Sequence, residues 1–135
     1  MTLADIIADH AEREGPLLPI LHDVQKSFGH VSEEAMQQIA HALNLTRAEV
    51  FGVVSFYHDF RQNPEARPVV KLCRAEACQA RGVDALLPVA DGQSRVKVEA
   101  VYCLGLCSVG PAAMIGETVH ARLNAASFAA LLGAA

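Results

Sequence analysis

The chain has 135 residues, 52% of them hydrophobic, and a formal net charge of −4 at pH 7. That is the length of one ordinary domain, or of a small domain with a helical extension, and it carries enough apolar residues for a core. No apolar run approaches the roughly 18 residues of a membrane span. Met1-Thr2-Leu3-Ala4-Asp5 puts an acid where a secretory signal wants positive charge. A soluble, cytoplasmic protein with no membrane contact is expected. The charge is uneven: residues 1–64 hold nine acids against four bases, a net of −5, and residues 65–135 hold six against seven, a net of +1. Neither half has the Lys/Arg stripe that neutralises phosphates, so nucleic acid is excluded as a partner. The acidic half is expected to meet a protein surface.

In chain order, the first sixty residues predict four short helices. Thr2 caps the first, expected to run to about Arg13 with Leu3, Ile6 and Ile7 on its apolar side and Asp5 where the helix dipole favours an anion. Gly15-Pro16 breaks the chain. Leu17, Leu18, Ile20, Leu21, Val24 and Phe28 keep helical spacing, which places the second helix at 17–28 with Gly29 just past its end. Ser32 caps a third that ends near Asn44, its Met36, Ile39, Ala40 and Leu43 on one face. Thr46 and Glu49 form a capping box for the fourth, which contains Val50, Phe51, Val53, Val54, Phe56 and Tyr57.

Asn63-Pro64 and Pro68 mark a linker, after which the periodicity changes from helical to extended. A boundary near residue 65 is expected, with a helical domain at 1–64 and a second domain at 65–135. Val69, Val70 and Leu72 read as a strand running into Cys73, Ala75 to about Leu87 as a helix, and Val96, Val98 and Val101 as a strand running into Cys103. Ala112–Ile115 and Thr118–Leu123 flank Gly116-Glu117 as a hairpin, and Asn124 to about Leu132 closes as a helix. The class is α+β, an N-terminal helical bundle followed by a small mixed sheet with helices packed on it.

The only four cysteines stand in two close pairs, Cys73 with Cys78 and Cys103 with Cys107, separated by 24 residues. Soft thiolates at such spacing converge on a soft centre, and four complete the shell of a tetrahedral zinc or of an iron–sulfur cluster. Gly105 suits a close backbone approach, and Leu104, Leu106 and Val109 can shield the centre from water, which favours iron–sulfur. A structural zinc held by all four cysteines, stabilising an interaction module, fits the same spacings. Thiol oxidoreductase chemistry would use Cys-x-x-Cys, and the chain has none. Structural disulfides are rare in a reducing compartment.

Other residues carry less. Arg74 and Arg81 lie near the first pair, where positive charge favours an added electron, although solvated helix residues are the plainer reading. The six histidines, His10, His22, His30, His41, His58 and His120, form no i, i+4 pair and read as surface or capping groups. Val53-Val54-Ser55-Phe56-Tyr57 reads as core first and as an interface second. No phosphate loop, Ser-His-Asp set or paired carboxylates are present, so no catalytic residue is assigned.

The cysteine pattern, together with Leu17-Leu18-Pro19-Ile20-Leu21, Gly52-Val53-Val54-Ser55-Phe56-Tyr57 and Cys103-Leu104-Gly105-Leu106-Cys107, resembles the thioredoxin-like 2Fe-2S ferredoxin family, the 24-kDa-type subunit of NADH dehydrogenase (complex I). Within it, Cys73-Arg74-Ala75-Glu76-Ala77-Cys78-Gln79-Ala80 and Val101-Tyr102-Cys103 look most like the gamma subunit of soluble, NAD-dependent, molybdenum-containing formate dehydrogenase. The resemblance implies a thioredoxin-like domain at 65–135 and one 2Fe-2S cluster ligated by Cys73, Cys78, Cys103 and Cys107, two on each iron. It implies electron transfer without catalysis by this chain. Expected partners are a flavin- and NAD-binding diaphorase (beta) subunit and a molybdenum-containing catalytic (alpha) subunit, which hold FMN, NAD, the molybdenum cofactor and further clusters. The equivalent subunits of complex I and of NAD-linked hydrogenase diaphorases are the alternative. The Cys78–Cys103 stretch is several residues shorter than is usual for complex I subunits, which trims the helix or loop before the second strand.

Overall fold

The computed structural model describes residues 1–135 and divides into two compact units, Met1–Glu65 and Ala66–Ala135.

The first unit is helical: α1 (Leu3–Asp9), α2 (Leu17–Phe28), α3 (Glu33–Leu43) and α4 (Arg47–Phe56). Local chemistry sets the starts. Thr2, Ser32 and Thr46 each accept a hydrogen bond from the amide three residues on, and Asp5 and Glu49 complete capping boxes on α1 and α4. Gly29 and Asn44 end α2 and α3 in the left-handed conformation. Ile20, Leu21 and Val24 of α2 meet Met36 and Ile39 of α3 and Val50 and Val54 of α4 in one core. The chain beyond α4 folds back: the Gln25 side chain donates to the Asp59 carbonyl and accepts from the Arg61 amide, while the Val31 amide donates to the Arg61 carbonyl.

Two expectations are corrected in this unit. The first helix stops at Asp9 rather than Arg13, because the amides of His10, Ala11 and Arg13 bond three residues back, to Ile7, Ala8 and His10, in a tightened last turn. His10 is not a surface group. It is buried, with Nε2 2.6 Å from Asp23 Oδ2 on α2.

The second unit is a four-stranded sheet of order β2-β1-β3-β4, built from β1 (Val69–Cys73), β2 (Lys97–Val101), β3 (Ala113–Ile115) and β4 (Thr118–His120). β1 and β2 are parallel with Cys73 opposite Val101, and the other pairings are antiparallel. Val70 and Leu72 bury against Val83, Leu86, Phe128 and Leu132, the last two from α7 (Ala125–Ala134). Burying Phe128 fully contributes about 2–3 kcal/mol. The expected two-residue turn at Gly116-Glu117 is present, with Ile115 paired to Thr118 and Gly116 at φ +58°.

The single helix expected over Ala75–Leu87 is instead broken into α5 (Glu76–Ala80), a 3-10 turn (Val83–Leu86) and α6 (Leu87–Asp91). Gly82, at φ +95°, turns the chain out of α5. The last strand ends at His120 rather than Leu123. Arg122 lies at φ +51°, and the amides of Arg122 and Leu123 donate to the carbonyls of Val109 and Pro111 rather than to a strand. No helix is long and apolar enough to cross a membrane.

Candidate metal centre

Because β1 and β2 are parallel and in register, both end on the same side of the sheet, and the loops that follow them become neighbours. The Arg74 amide donates to the Val101 carbonyl, which fastens one loop to the other. Cys73 is the last residue of β1, and Cys78 sits in α5 five positions on. Gln79 Nε2 donates to the Arg74 carbonyl at 2.8 Å and closes that loop. Cys103 follows β2, and Cys107 opens a 3-10 turn over Cys107–Val109.

Cys103 lies at φ +104° and Gly105 at φ +78°, so the intervening backbone turns its amides toward sulfur. The Gly105 amide donates to Cys103 Sγ at 3.4 Å. For a residue with a side chain the conformation of Cys103 costs about 1–3 kcal/mol, a strain concentrated at a candidate ligand.

The pairs differ in exposure: Cys73 and Cys78 are buried, Cys103 and Cys107 open to solvent. Burial pushes the Cys73 thiol up, but the Ala75 amide, the Cys78 thiol and the amides of Cys103 and Leu104 all donate to its sulfur, and together they hold it below the usual thiol range. Cys78 is pushed up, first by burial and then by donating its proton to Cys73, against a weaker pull from the Ala112 amide. Cys107 is raised because its thiol donates to Cys103 and feels the charge there. Negative charge on Cys73 raises both Cys78 and Cys107, so the two loops share one electrostatic environment.

Within the exposed pair the sulfurs stand 3.6 Å apart, which is close to the separation of two thiolates bonded at about 2.3 Å to one tetrahedral metal. Cys73 and Cys78 are likewise in hydrogen-bond contact. The four sulfurs are thus set out as two doublets, and no three side chains of metal-binding type close on a single ion.

Two neighbours, Gly110 and Ala112, carry no signal in the sequence, and a third, Arg81, was legible there only as a nearby charge. Gly110 has ordinary backbone angles, but a Cβ there would lie 3.0 Å from Cys78 Sγ. The Ala112 amide faces the same sulfur. Arg81 Nε donates to the Cys107 carbonyl at 3.2 Å and ties the end of α5 to the second loop, so Arg81 is not merely solvated. These residues are linked across the fold, and only the assembled sheet brings them together.

The family model of the thioredoxin-like [2Fe-2S] ferredoxins matches residues 3–135. The chain belongs to that family. Ferredoxins of this type carry one 2Fe-2S cluster, and the donor set here suits it: four thiols in two doublets, with backbone amides aimed at sulfur. The ferredoxin is 29% identical over 124 residues to the HndA subunit of the NADP-reducing hydrogenase of Solidesulfovibrio fructosivorans, covering 84% of this chain and 72% of that one. It is 32% identical over 120 residues to the E chain of the NADH-quinone oxidoreductase of Escherichia coli (strain K12), covering 81% and 72%. Among solved structures it resembles part of an NAD+-reducing [NiFe]-hydrogenase in the air-oxidized state, with a TM-score of 0.72 and 29% identity. That match covers 87% of this chain and 22% of the hydrogenase chain, so the ferredoxin corresponds to about a fifth of it.

Proposed function

We propose that Cys73 and Cys78 hold one iron of the 2Fe-2S cluster and Cys103 and Cys107 the other, in an electron-transfer subunit of a pyridine-nucleotide-linked oxidoreductase. The arrangement of the sulfurs as two doublets on adjoining loops carries this reading. A four-cysteine zinc site needs all the sulfurs around one ion. When bound, the cluster supplies one-electron transfer. The chain's own residues position it and set its surroundings: the amides of Ala75, Cys103, Leu104 and Ala112 stabilise negative charge on sulfur, and Arg81 fixes the second loop. Exposure of Cys103, Cys107 and Tyr102 leaves one side of the centre open to a redox partner.

The named relatives belong to NADH-quinone oxidoreductase and to hydrogenases, so an assembly of that type, with a flavin- and NAD-binding partner, is the better supported reading. The motif Cys73-Arg74-Ala75-Glu76-Ala77-Cys78-Gln79-Ala80 favours a second reading, the corresponding subunit of a molybdenum-containing formate dehydrogenase. Isolating the native assembly through a tag on this chain and assaying FMN, nickel and molybdenum separates them. Hydrogen- or quinone-linked turnover of NAD(P)H without molybdenum supports the first, and formate-dependent NAD reduction with molybdenum the second. An assembly without flavin contradicts both.

A further inference from the structure

Beside the first cysteine loop, the sheet unit forms a half-open cavity of about 410 Å³. Its floor is one face of the sheet, where the register sets Leu72 beside Ala100 and Val98 next along β2, with Leu87 of α6 at the side. α6 ends at Asp91 after five residues, and Ala100 is left exposed beyond it.

Charge around this floor is predominantly positive: Arg67, Arg74 and Lys97 face the single carboxylate of Asp91. Lys97 holds Glu99 at 3.5 Å and Arg67 has contacts of its own, so Arg74 is the cation that decides the matter. Its Nε is shielded from water and makes no hydrogen bond. Arg74 as a whole is half-buried and lines the cavity, and a guanidinium whose Nε is left unpaired gains from an anion on its remaining N–H groups. The guanidinium fork matches the two oxygens of a carboxylate or phosphate, and a cavity of this size takes a small molecule rather than a bare anion.

The geometry points to a binding site for a small organic oxyanion, a carboxylate or a phosphate monoester, with its charged group on Arg74 and its apolar body over Val98 and Ala100. The site adjoins the first cysteine loop but uses none of its sulfurs.

Calorimetric titration of the full chain with benzoate, phenyl phosphate, inorganic phosphate and benzyl alcohol tests it. At least one aromatic anion is expected to bind about tenfold or more tightly than either control, the charge-assisted contact and the body each contributing. The order of benzoate and phenyl phosphate tells which oxyanion the site prefers. Arg74→Gln is expected to weaken that binding about tenfold or more, as the charged hydrogen bonds are lost. Ala100→Leu, whose longer side chain enters the cavity from an exposed position and leaves Arg74 in place, is expected to weaken it as well. No preference over the two controls, or unchanged affinity in either variant, overturns the assignment.

Discussion

Two glycines near the sulfurs are required for different reasons, and substitution separates them. Gly105 has open space where a Cβ would go but lies at φ +78°. Gly105→Ala is therefore expected to cost about 1 kcal/mol through the backbone alone, read as a lower urea midpoint of the metal-free protein. Gly110 has unstrained angles and no room. In Gly110→Val the added methyls press on Cys78 Sγ, and lower iron retention is expected at nearly unchanged secondary structure, checked by iron assay and circular dichroism. Equal iron content in wild type and Gly110→Val would show that the sulfur is free to move. At this scale the sequence displayed the cysteines as two spaced pairs, because ligand spacing is local. It could not display which pair is buried, or that Ala112 and Arg81 serve the loops, because those contacts span the sheet.

Helix starts were legible for the same reason. Thr2, Ser32, Thr46 and Asn124 satisfy amides within three residues, and that chemistry is complete in the sequence. Thr46→Ala is expected to cost about 1 kcal/mol, measured by unfolding. The partner of Thr46 adds a pH dependence. The Thr46 amide and hydroxyl both donate to Glu49, and those bonds hold its carboxyl below the usual range. A depressed carboxylate stabilises the fold above its unfolded pKa and loses that contribution as pH falls through the folded value. The difference in unfolding midpoint between wild type and Glu49→Gln is thus expected to be present at neutral pH and to close below about pH 4. A gap unchanged by acid would mean that the box contributes nothing. Three element ends were not legible, two because they depend on distant partners and one because a lone Gly within helical spacing does not announce its conformation. The first helix tightens where His10 turns in to Asp23, α5 stops at a left-handed Gly82, and β4 gives way where Arg122 and Leu123 pair with the far loop.

For the whole molecule, patterning of the two halves made the α+β class readable: helical spacing to about residue 60, then alternation into the cysteines. Val53-Val54-Ser55-Phe56-Tyr57 proved divided, with Val54 in the core and Phe56 and Tyr57 exposed, as Phe51 is. With the net −5 of residues 1–64, these aromatics make the helical unit the expected docking element for the proposed flavin-bearing partner. Replacing Phe51, Phe56 and Tyr57 with serine is expected to abolish co-purification while the iron-dependent absorption persists. Undiminished co-purification would assign docking elsewhere.

The central claim is the two-iron centre on two thiol doublets, and anaerobic purification followed by metal and acid-labile sulfide analysis tests it most directly. The account predicts two irons and two labile sulfides per chain, with most of both lost in Cys73→Ser and in Cys107→Ser. Zinc in place of iron, iron without labile sulfide, or full iron content in either variant would contradict it.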